Sequence, residues 1–171
     1  FKVIVGNFSV GWPKLAEVPA FYPAIEAGDA LGLHEYSAPT LWDSETWHML
    51  YYRRAWAAYR QQCAKPIFIG ECGIDWGVID GVLEGWRARG GIPAELYATQ
   101  LDWYKGQIEC DPYVLGATVF CCGTNDLAWN SFDVAGVPEI EALIEEAPSM
   151  SLQTEFPAEW AAWEAAGGPE H

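Results

Sequence analysis

The chain is poor in basic residues, with nine Lys and Arg against 24 Asp and Glu and a formal net charge of −15. A surface of this sign repels phosphate backbones and anionic lipids, so neither nucleic-acid binding nor membrane binding is expected. The sequence also lacks an apolar run long enough to span a bilayer. This composition is typical of a soluble protein that acts on neutral or cationic ligands.

Cysteine is present but is not arranged for a disulfide framework or for metal binding. The five cysteines are an odd number, and they form no CxxC pair and no Cys/His cluster with zinc spacing. We therefore expect no metal site and no cofactor. Cys72, Cys121 and Cys122 lie in apolar, strand-like runs, where cysteine acts as a small hydrophobic residue, so all three are predicted to be buried.

The beginning of the sequence lacks a signal peptide, an initiator methionine and a polar leader. Phe1 opens directly into an apolar, strand-like run. Because chains rarely begin inside a core strand, we expect this one to be part of a longer protein. The missing signal then predicts nothing about the cellular compartment.

What the sequence has in abundance is aromatic residues. Ten Trp, eight Tyr and seven Phe occur in 171 residues, 51% of which are hydrophobic. This composition predicts one globular domain with a sizeable core. Most of the rings are expected in that core and several in a cleft, where a flat apolar ring can stack on a sugar.

Short apolar runs alternate with longer helical segments over most of the chain. Strands are predicted at residues 2–7, 30–36, 66–71 and 114–121, helices at 15–27, 47–62, 93–110 and 137–146, and a long loop at 72–91. Four such units predict an α/β fold with parallel strands and right-handed crossovers over residues 1–147. The acidic, Pro/Gly/Ala-rich residues 148–171 are interpreted as a C-terminal extension or linker.

Two architectures fit this pattern: an open, doubly wound sheet and half of a closed (β/α)₈ barrel. No GxGxxG or GxxxxGK[ST] motif follows the first strand, which weakens the nucleotide-binding version of the open sheet. In both folds the active site lies at the carboxyl ends of the strands. Polar, aromatic or Gly-bearing segments follow all four predicted strands, although helix caps and turns favour the same residue types.

The third predicted strand carries the sharpest signal. Residues 65–73 read Lys-Pro-Ile-Phe-Ile-Gly-Glu-Cys-Gly, and a carboxylate after such an apolar run is costly to desolvate unless it is paired or functional. This run resembles barrel strand seven of the (β/α)₈ retaining glycoside hydrolases often called clan A, in which the Glu is the nucleophile. The second strand ends in His34-Glu35-Tyr36, which is similar to the family's His-x-Tyr at the end of strand six.

The resemblance implies a fold, a reaction and a set of roles. Residues 1–147 would form strands five to eight of the barrel, acting on an oligosaccharide or polysaccharide by retaining hydrolysis of O-glycosidic bonds. Glu71 would be the nucleophile, with Tyr36 hydrogen-bonded to it. The other residues at the strand ends would contact the sugar through polar groups or by stacking: Asn7, His34, Trp76, Phe120 and Trp129.

The acid/base residue of the family is missing. It belongs to an Asn-Glu pair at the end of strand four, and no Asn-Glu occurs in this sequence. The second carboxylate is therefore expected from an N-terminal half-barrel, without which the chain would lack hydrolytic activity. Glu35 is a weaker substitute, because alternation along a strand points it away from the face shared by His34 and Tyr36. Asp75, Asp126 and Asp133 are predicted to be loop caps.

Three readings stay open at this stage. The first is the retaining glycosidase, whose open sheet edges would be covered by an N-terminal half-barrel segment or by a homodimer. The second is a non-catalytic carbohydrate-binding or scaffold domain built on the same motif. The third is a hydrolase of the open-sheet type that uses Cys72 as its nucleophile.

Overall fold

The computed structural model of the chain describes residues 1–42 and 48–145. Four parallel strands form one sheet in the order β1-β2-β3-β4. The strands are β1 Ile4–Phe8, β2 Ala30–Ser37, β3 Ile67–Ile74 and β4 Val114–Val119. The α/β class and the four predicted strands are thereby confirmed. Residues 148–171, interpreted above as an extension or linker, lie outside the described residues.

Helices connect and follow these strands. They are α1 Tyr22–Ala27, α2 Tyr51–Tyr59, α3 Gly77–Asp80, α4 Ala94–Glu109 and α5 Pro138–Glu145, with 3₁₀ turns at Val18–Phe21 and Leu127–Trp129. In the described residues, no helix is both long enough and apolar enough to cross a membrane.

Several predicted boundaries were wrong for local reasons. The segment predicted as one helix at 15–27 is a 3₁₀ turn followed by the short α1, each with a proline in its first turn. The helix predicted from residue 47 begins only at Tyr51, because Leu50 has a left-handed backbone with φ of 56°. The loop predicted at 72–91 contains the end of β3 and the helix α3. The strand predicted to reach residue 121 ends at Val119.

The order of the strands can be compared with the two architectures considered for the sheet. A doubly wound sheet reverses its strand order, and this sheet does not. Right-handed crossovers between strands in unreversed order place the helices on one face. The carboxylate of Glu35 on β2 accordingly accepts hydrogen bonds from both α2 and α4. The arrangement is compatible with half of a β/α barrel.

The core lies between the sheet and these helices. Alternate residues of β2 and β3 are buried there against tyrosine rings of α2 and α4. The largest buried side chains of this layer are Leu31, Leu33, Ile67, Ile69, Tyr51, Tyr52, Tyr59 and Tyr97.

A bulge in β3 determines which way Glu71 points. Ile69 pairs with Leu33, but the next pair joins Glu71 to His34, so Gly70 is an extra residue. With strict alternation, Glu71 would share the helix face with Ile67 and Ile69. The extra residue moves Glu71 to the opposite face, where it lies beside His34.

The cysteines only partly follow the prediction. All five are free, and Cys72 is buried on the helix face as expected. Cys121 is only partly buried and Cys122 is exposed, so the prediction for Cys122 was wrong. Beyond β4 the chain joins a loop, with backbone hydrogen bonds from Cys121 N to Phe132 O and from Val134 N to Cys121 O. This segment is therefore not a two-sided core strand.

Candidate active site

A cavity of about 270 Å³ opens at the carboxyl ends of the strands. All four β-to-α connections or strand ends contribute to its wall: Ser9, Val10, His34, Tyr36, Glu71, Asp75, Leu83, Phe120, Trp129 and Phe132. The cavity therefore lies where parallel α/β folds bind their ligands. A separate apolar groove of about 370 Å³ lies beside β4, between α4 and α5, and does not contain Glu71.

Glu71 is held in this cavity by one of its two carboxylate oxygens. Its Oε2 accepts a hydrogen bond from the Tyr36 hydroxyl at 2.8 Å and lies 3.1 Å from Nδ1 of His34. In the described part of the chain, Oε1 has no hydrogen-bond partner, and the side chain is 33% exposed. The carboxylate thus combines a fixed orientation with one oxygen that has no hydrogen-bond partner among the described residues.

His34 has a second nitrogen that the protein leaves unused. Nε2 is buried and makes no hydrogen bond among the described residues. A buried polar atom without a partner is rare in folded proteins and is often completed by a ligand or water. His34 lines the cavity, and its buried Nε2 is without a partner among the described residues.

Aromatic rings form one wall of the cavity. Phe120 lies 5.3 Å from Trp129 and 5.6 Å from Phe132, measured between ring centroids, in edge-to-face geometry. Tyr36 approaches Phe120 at 6.4 Å in the same way. Edge-to-face packing fixes the orientation of these rings. A cavity lined by both aromatic rings and a carboxylate suits a ligand with one apolar and one polar side.

The loops after β3 and β4 are joined by hydrogen bonds that position this wall. Gly85 N donates to Ser131 Oγ at 2.8 Å, and the indole Nε1 of Trp86 donates to Phe132 O at 3.2 Å. A Cβ on Gly85 would lie 2.5 Å from Ser131 O, so the two backbones are too close for any residue other than glycine at position 85. Leu83 and Phe132 reach the cavity through this pairing.

Two predicted site residues are not in the cavity wall. Asn7 belongs to a bulge of β1, with φ of 46°, and its Oδ1 occupies the space that a Cβ on Gly70 would need, at 2.1 Å. It therefore supports the backbone next to Glu71. Trp76 packs against the core and is covered by the Arg89 guanidinium, 4.6 Å from the ring centroid. Neither side chain faces a ligand in this cavity.

The three aspartates predicted as loop caps do cap loops. Asp75 Oδ1 accepts from Gly77 N at 2.7 Å, Asp126 Oδ1 from Ala128 N, and Asp133 Oδ1 from Gly123 N. Asp75 also lines the cavity, and burial raises the pKa of its carboxyl. Asp75 is therefore both a cap and a second carboxylate near Glu71, which the cap interpretation alone missed.

Glu35 points away from the cavity, as alternation predicted. Its carboxylate is fully buried and accepts hydrogen bonds from Tyr52 N at 2.6 Å, Leu50 N at 3.0 Å and the Tyr104 hydroxyl at 2.7 Å. Burial outweighs these donors and raises the pKa of Glu35 from 4.5 to about 7. This geometry does not allow Glu35 to act as an acid/base in the cavity.

Cys72 is equally remote from the cavity. It is 1% exposed on the helix face of β3, and burial raises the pKa of its thiol above the ordinary value. A nucleophilic cysteine needs a lowered pKa and access to substrate. The hypothesis of a Cys72 hydrolase is therefore not supported.

Sequence reasoning found Glu71, Tyr36, His34, Phe120 and Trp129, which the fold brings together. It missed cavity residues that come from loops distant in sequence: Ser9, Val10, Leu83 and Phe132. No local pattern distinguishes these residues from ordinary loop residues.

Comparison of the chain with protein-family models, with curated protein sequences and with solved structures found no match. In the described residues, no group of three His, Cys, Asp or Glu side chains could hold a metal ion. The resemblance to glycoside hydrolases therefore stays a prediction.

Proposed function

We propose that this chain carries the nucleophile half of a retaining glycoside hydrolase, with Glu71 as the nucleophile. The observation that supports this most is the state of the Glu71 carboxylate, with Oε2 oriented by Tyr36 and His34 and Oε1 without a partner in the described structure. A nucleophile needs this combination of fixed position and one unoccupied oxygen. The aromatic wall supplies a surface for a sugar face.

The proposed reaction uses these groups in sequence. Oε1 of Glu71 attacks the anomeric carbon as the bond to the glycosidic oxygen breaks, giving a covalent glycosyl-enzyme. The acid/base carboxylate, proposed below to come from outside the described residues, donates a proton to the leaving oxygen and later takes a proton from the attacking water. Tyr36 and His34 keep the carboxylate aligned as its negative charge is lost in forming the neutral ester. Phe120 and Trp129 support the sugar ring, and Nε2 of His34 contacts a sugar hydroxyl. Water then hydrolyses the ester with retention of configuration.

The acid/base carboxylate is proposed to come from outside the described residues. Within residues 1–42 and 48–145, β1 and β4 are the two edge strands of the sheet and have no further strand beside them, and Ile4 of β1 and Leu115 of β4 are exposed. Such edges pair readily with further strands. We propose that an N-terminal half-barrel segment completes the barrel here. A homodimer would fulfil the same requirement, but a net charge of −15 on each chain opposes self-association.

A non-catalytic carbohydrate-binding domain is the alternative, and one observation favours it. The other carboxylate of the cavity, Asp75, already accepts a hydrogen bond from Gly77 N. A retaining enzyme needs two carboxylates about 5–5.5 Å apart with different tasks. If no partner supplies the second one, the cavity binds sugar without turnover.

The deciding experiment uses glycosides whose leaving group needs no protonation. Dinitrophenyl 2-deoxy-2-fluoroglycosides form a glycosyl-enzyme without an acid catalyst, and the fluorine slows its hydrolysis, so the adduct accumulates. We expect intact-mass spectrometry to show one added glycosyl unit, and peptide mapping to place it on Glu71. The measurement uses the longest native form of the protein and a panel of sugar configurations.

Matched variants separate the hypotheses. Glu71→Gln should abolish the adduct, whereas Asp102→Asn removes an exposed carboxylate of α4 and should leave labelling intact. Sugar binding that persists in Glu71→Gln supports the nucleophile role. If no sugar of the panel labels the wild-type protein, or if Glu71→Gln labels as well as wild type, the nucleophile assignment is refuted. Binding without labelling would establish the carbohydrate-binding alternative.

A further inference from the structure

The wall of the cavity contains two carboxyl groups and no Lys or Arg. Glu71 and Asp75 are its two carboxylates, and none of its other residues is Lys or Arg. All nine Lys and Arg of the sequence fall in the described ranges 1–42 and 48–145. The undescribed residues 43–47 and 146–171 therefore contain no Lys or Arg.

The basic side chains nearest in sequence to the cavity loops are already engaged. The Arg89 guanidinium binds Asp80 at 2.7 Å and Glu84 at 2.6 Å. Lys14 lies over the ring of Trp12, 5.1 Å from its centroid. Arg87 Nε donates to Asp133 O at 2.9 Å, and its guanidinium lies 4.5 Å from the ring centroid of Trp86. None of these three side chains lines the cavity, so an anionic ligand would meet two carboxyl groups without a Lys or Arg of this chain.

His34 does not change this balance. Its Nδ1 is directed to Glu71, which leaves Nε2 as a single contact for a ligand. Recognition of a ligand carboxylate in proteins ordinarily uses Arg or Lys, since bidentate or charge-assisted bonds are needed to offset its desolvation. The cavity holds neither.

We propose, resting on the function proposed above, that the sugar bound against Glu71 carries no anionic group. Neutral hexosides and amino sugars fit the cavity, and glycosides of uronic acids are rejected. A uronide differs from its hexoside only by a carboxylate in place of the C6 hydroxymethyl group. The cavity lining of this chain offers that carboxylate no Lys or Arg, and it contains two carboxyl groups and three aromatic rings besides Tyr36.

The test compares matched 4-nitrophenyl glycosides of glucose and glucuronate, and of galactose and galacturonate, with the longest native form of the protein. For the accepted configuration, we expect kcat/KM on the hexoside to exceed that on the uronide about 100-fold at pH 7, or about 2.7 kcal/mol. Asp75→Asn keeps an oxygen for the Gly77 cap and removes one charge. This substitution should lower the ratio of kcat/KM on the hexoside to kcat/KM on the uronide about tenfold. Asp102→Asn, on the exposed side of α4, should not alter it.

Binding of the methyl glycosides, measured in parallel by titration, separates the two proposals. Binding of the hexoside but not of the uronide, without any hydrolysis, supports the charge selection and refutes the glycosidase. Turnover or binding of the uronide within tenfold of the hexoside overturns the charge selection, whatever happens to the glycosidase. If Asp75→Asn and Asp102→Asn change the hexoside-to-uronide ratio of kcat/KM equally, the charge selection is overturned as well. If neither methyl glycoside binds and neither nitrophenyl glycoside is cleaved, both proposals fall.

Discussion

Replacing Glu35 with Gln should change the pH dependence of stability more than any other single carboxylate substitution in the sheet. Glu35 is fully buried beneath the cavity strands, and its oxygens accept hydrogen bonds from Leu50 N and Tyr52 N at the start of α2 and from Tyr104 on α4. α2 has no side-chain cap of its own at Leu50. The carboxylate of β2 therefore fixes both helices to the strand that carries His34 and Tyr36.

The sign of the effect follows from the raised pKa of Glu35. Burial raises it from 4.5 to about 7, so between these values the folded chain keeps a proton that the unfolded chain releases. The contribution of the protonated carboxyl to stability is fully present below pH 4.5 and is lost as the pH rises through 7. A shift of this size corresponds to about 3 kcal/mol at 1.36 kcal/mol per pKa unit. Above pH 7 the loss is complete and constant.

The assay is urea unfolding of wild type and Glu35→Gln from pH 4.5 to 8.5, followed by circular dichroism and tryptophan fluorescence. Gln retains one acceptor oxygen but cannot ionise, so the difference in the free energy of unfolding between the two proteins isolates Glu35. We expect wild type to lose about 3 kcal/mol relative to the variant across this range. Glu109→Gln, an exposed carboxylate at the end of α4, serves as the control for buffer and charge effects. A difference that stays constant with pH would refute the reasoning.

Three further predictions follow from contacts of the cavity and the core. Tyr36→Phe removes the hydrogen bond to Glu71 and should slow glycosyl-enzyme formation about 10- to 100-fold, as expected for a bond to a charged group, with KM little changed. Stopped-flow release of dinitrophenolate measures this rate, and an unchanged rate contradicts the prediction. Gly85→Ala forces a Cβ to within 2.7 Å of the Phe132 backbone and should lower the free energy of unfolding by about 1–3 kcal/mol. Urea titration measures this change, and an unchanged free energy of unfolding would mean that the two loops are not closely packed. The Cys72 thiol is buried with a raised pKa and should react with a disulfide reagent only after unfolding, whereas the exposed thiols of the chain react at once. Rapid labelling of Cys72 in the native protein would contradict its burial on the helix face of β3.

The coarse fold could be predicted because it depends on periodicity and on helix and strand boundaries. Apolar runs such as Ile67–Ile69 and the intervening helical segments predict parallel strands, and the carboxyl ends of parallel strands meet at one rim. That is sufficient to bring His34, Tyr36 and Glu71 into one neighbourhood. It is also why Glu35 could be assigned to the opposite face, since β2 is regular between His34 and Ser37.

The direction of Glu71 could not be predicted from the sequence. Strict alternation from Ile67 and Ile69 would bury it among the helices, and only the extra residue at Gly70 reverses it. That bulge is stabilised by contacts from other strands: the Thr118 hydroxyl donates to Gly70 O, and the Asn7 side chain lies where a Cβ of residue 70 would be. A bulge of this kind depends on neighbours more than 40 residues away in the chain.

The sequence by itself determined the class of fold, the rim where chemistry is expected and the residue types available there, because these depend on local pattern and charge. Only the tertiary structure decided which oxygen of Glu71 is held, that Phe132 and Leu83 complete the wall, and that Trp76 does not. These outcomes depend on contacts between segments far apart in sequence. Backbone register and loop-to-loop hydrogen bonds set such contacts, and no periodicity of a single segment encodes them.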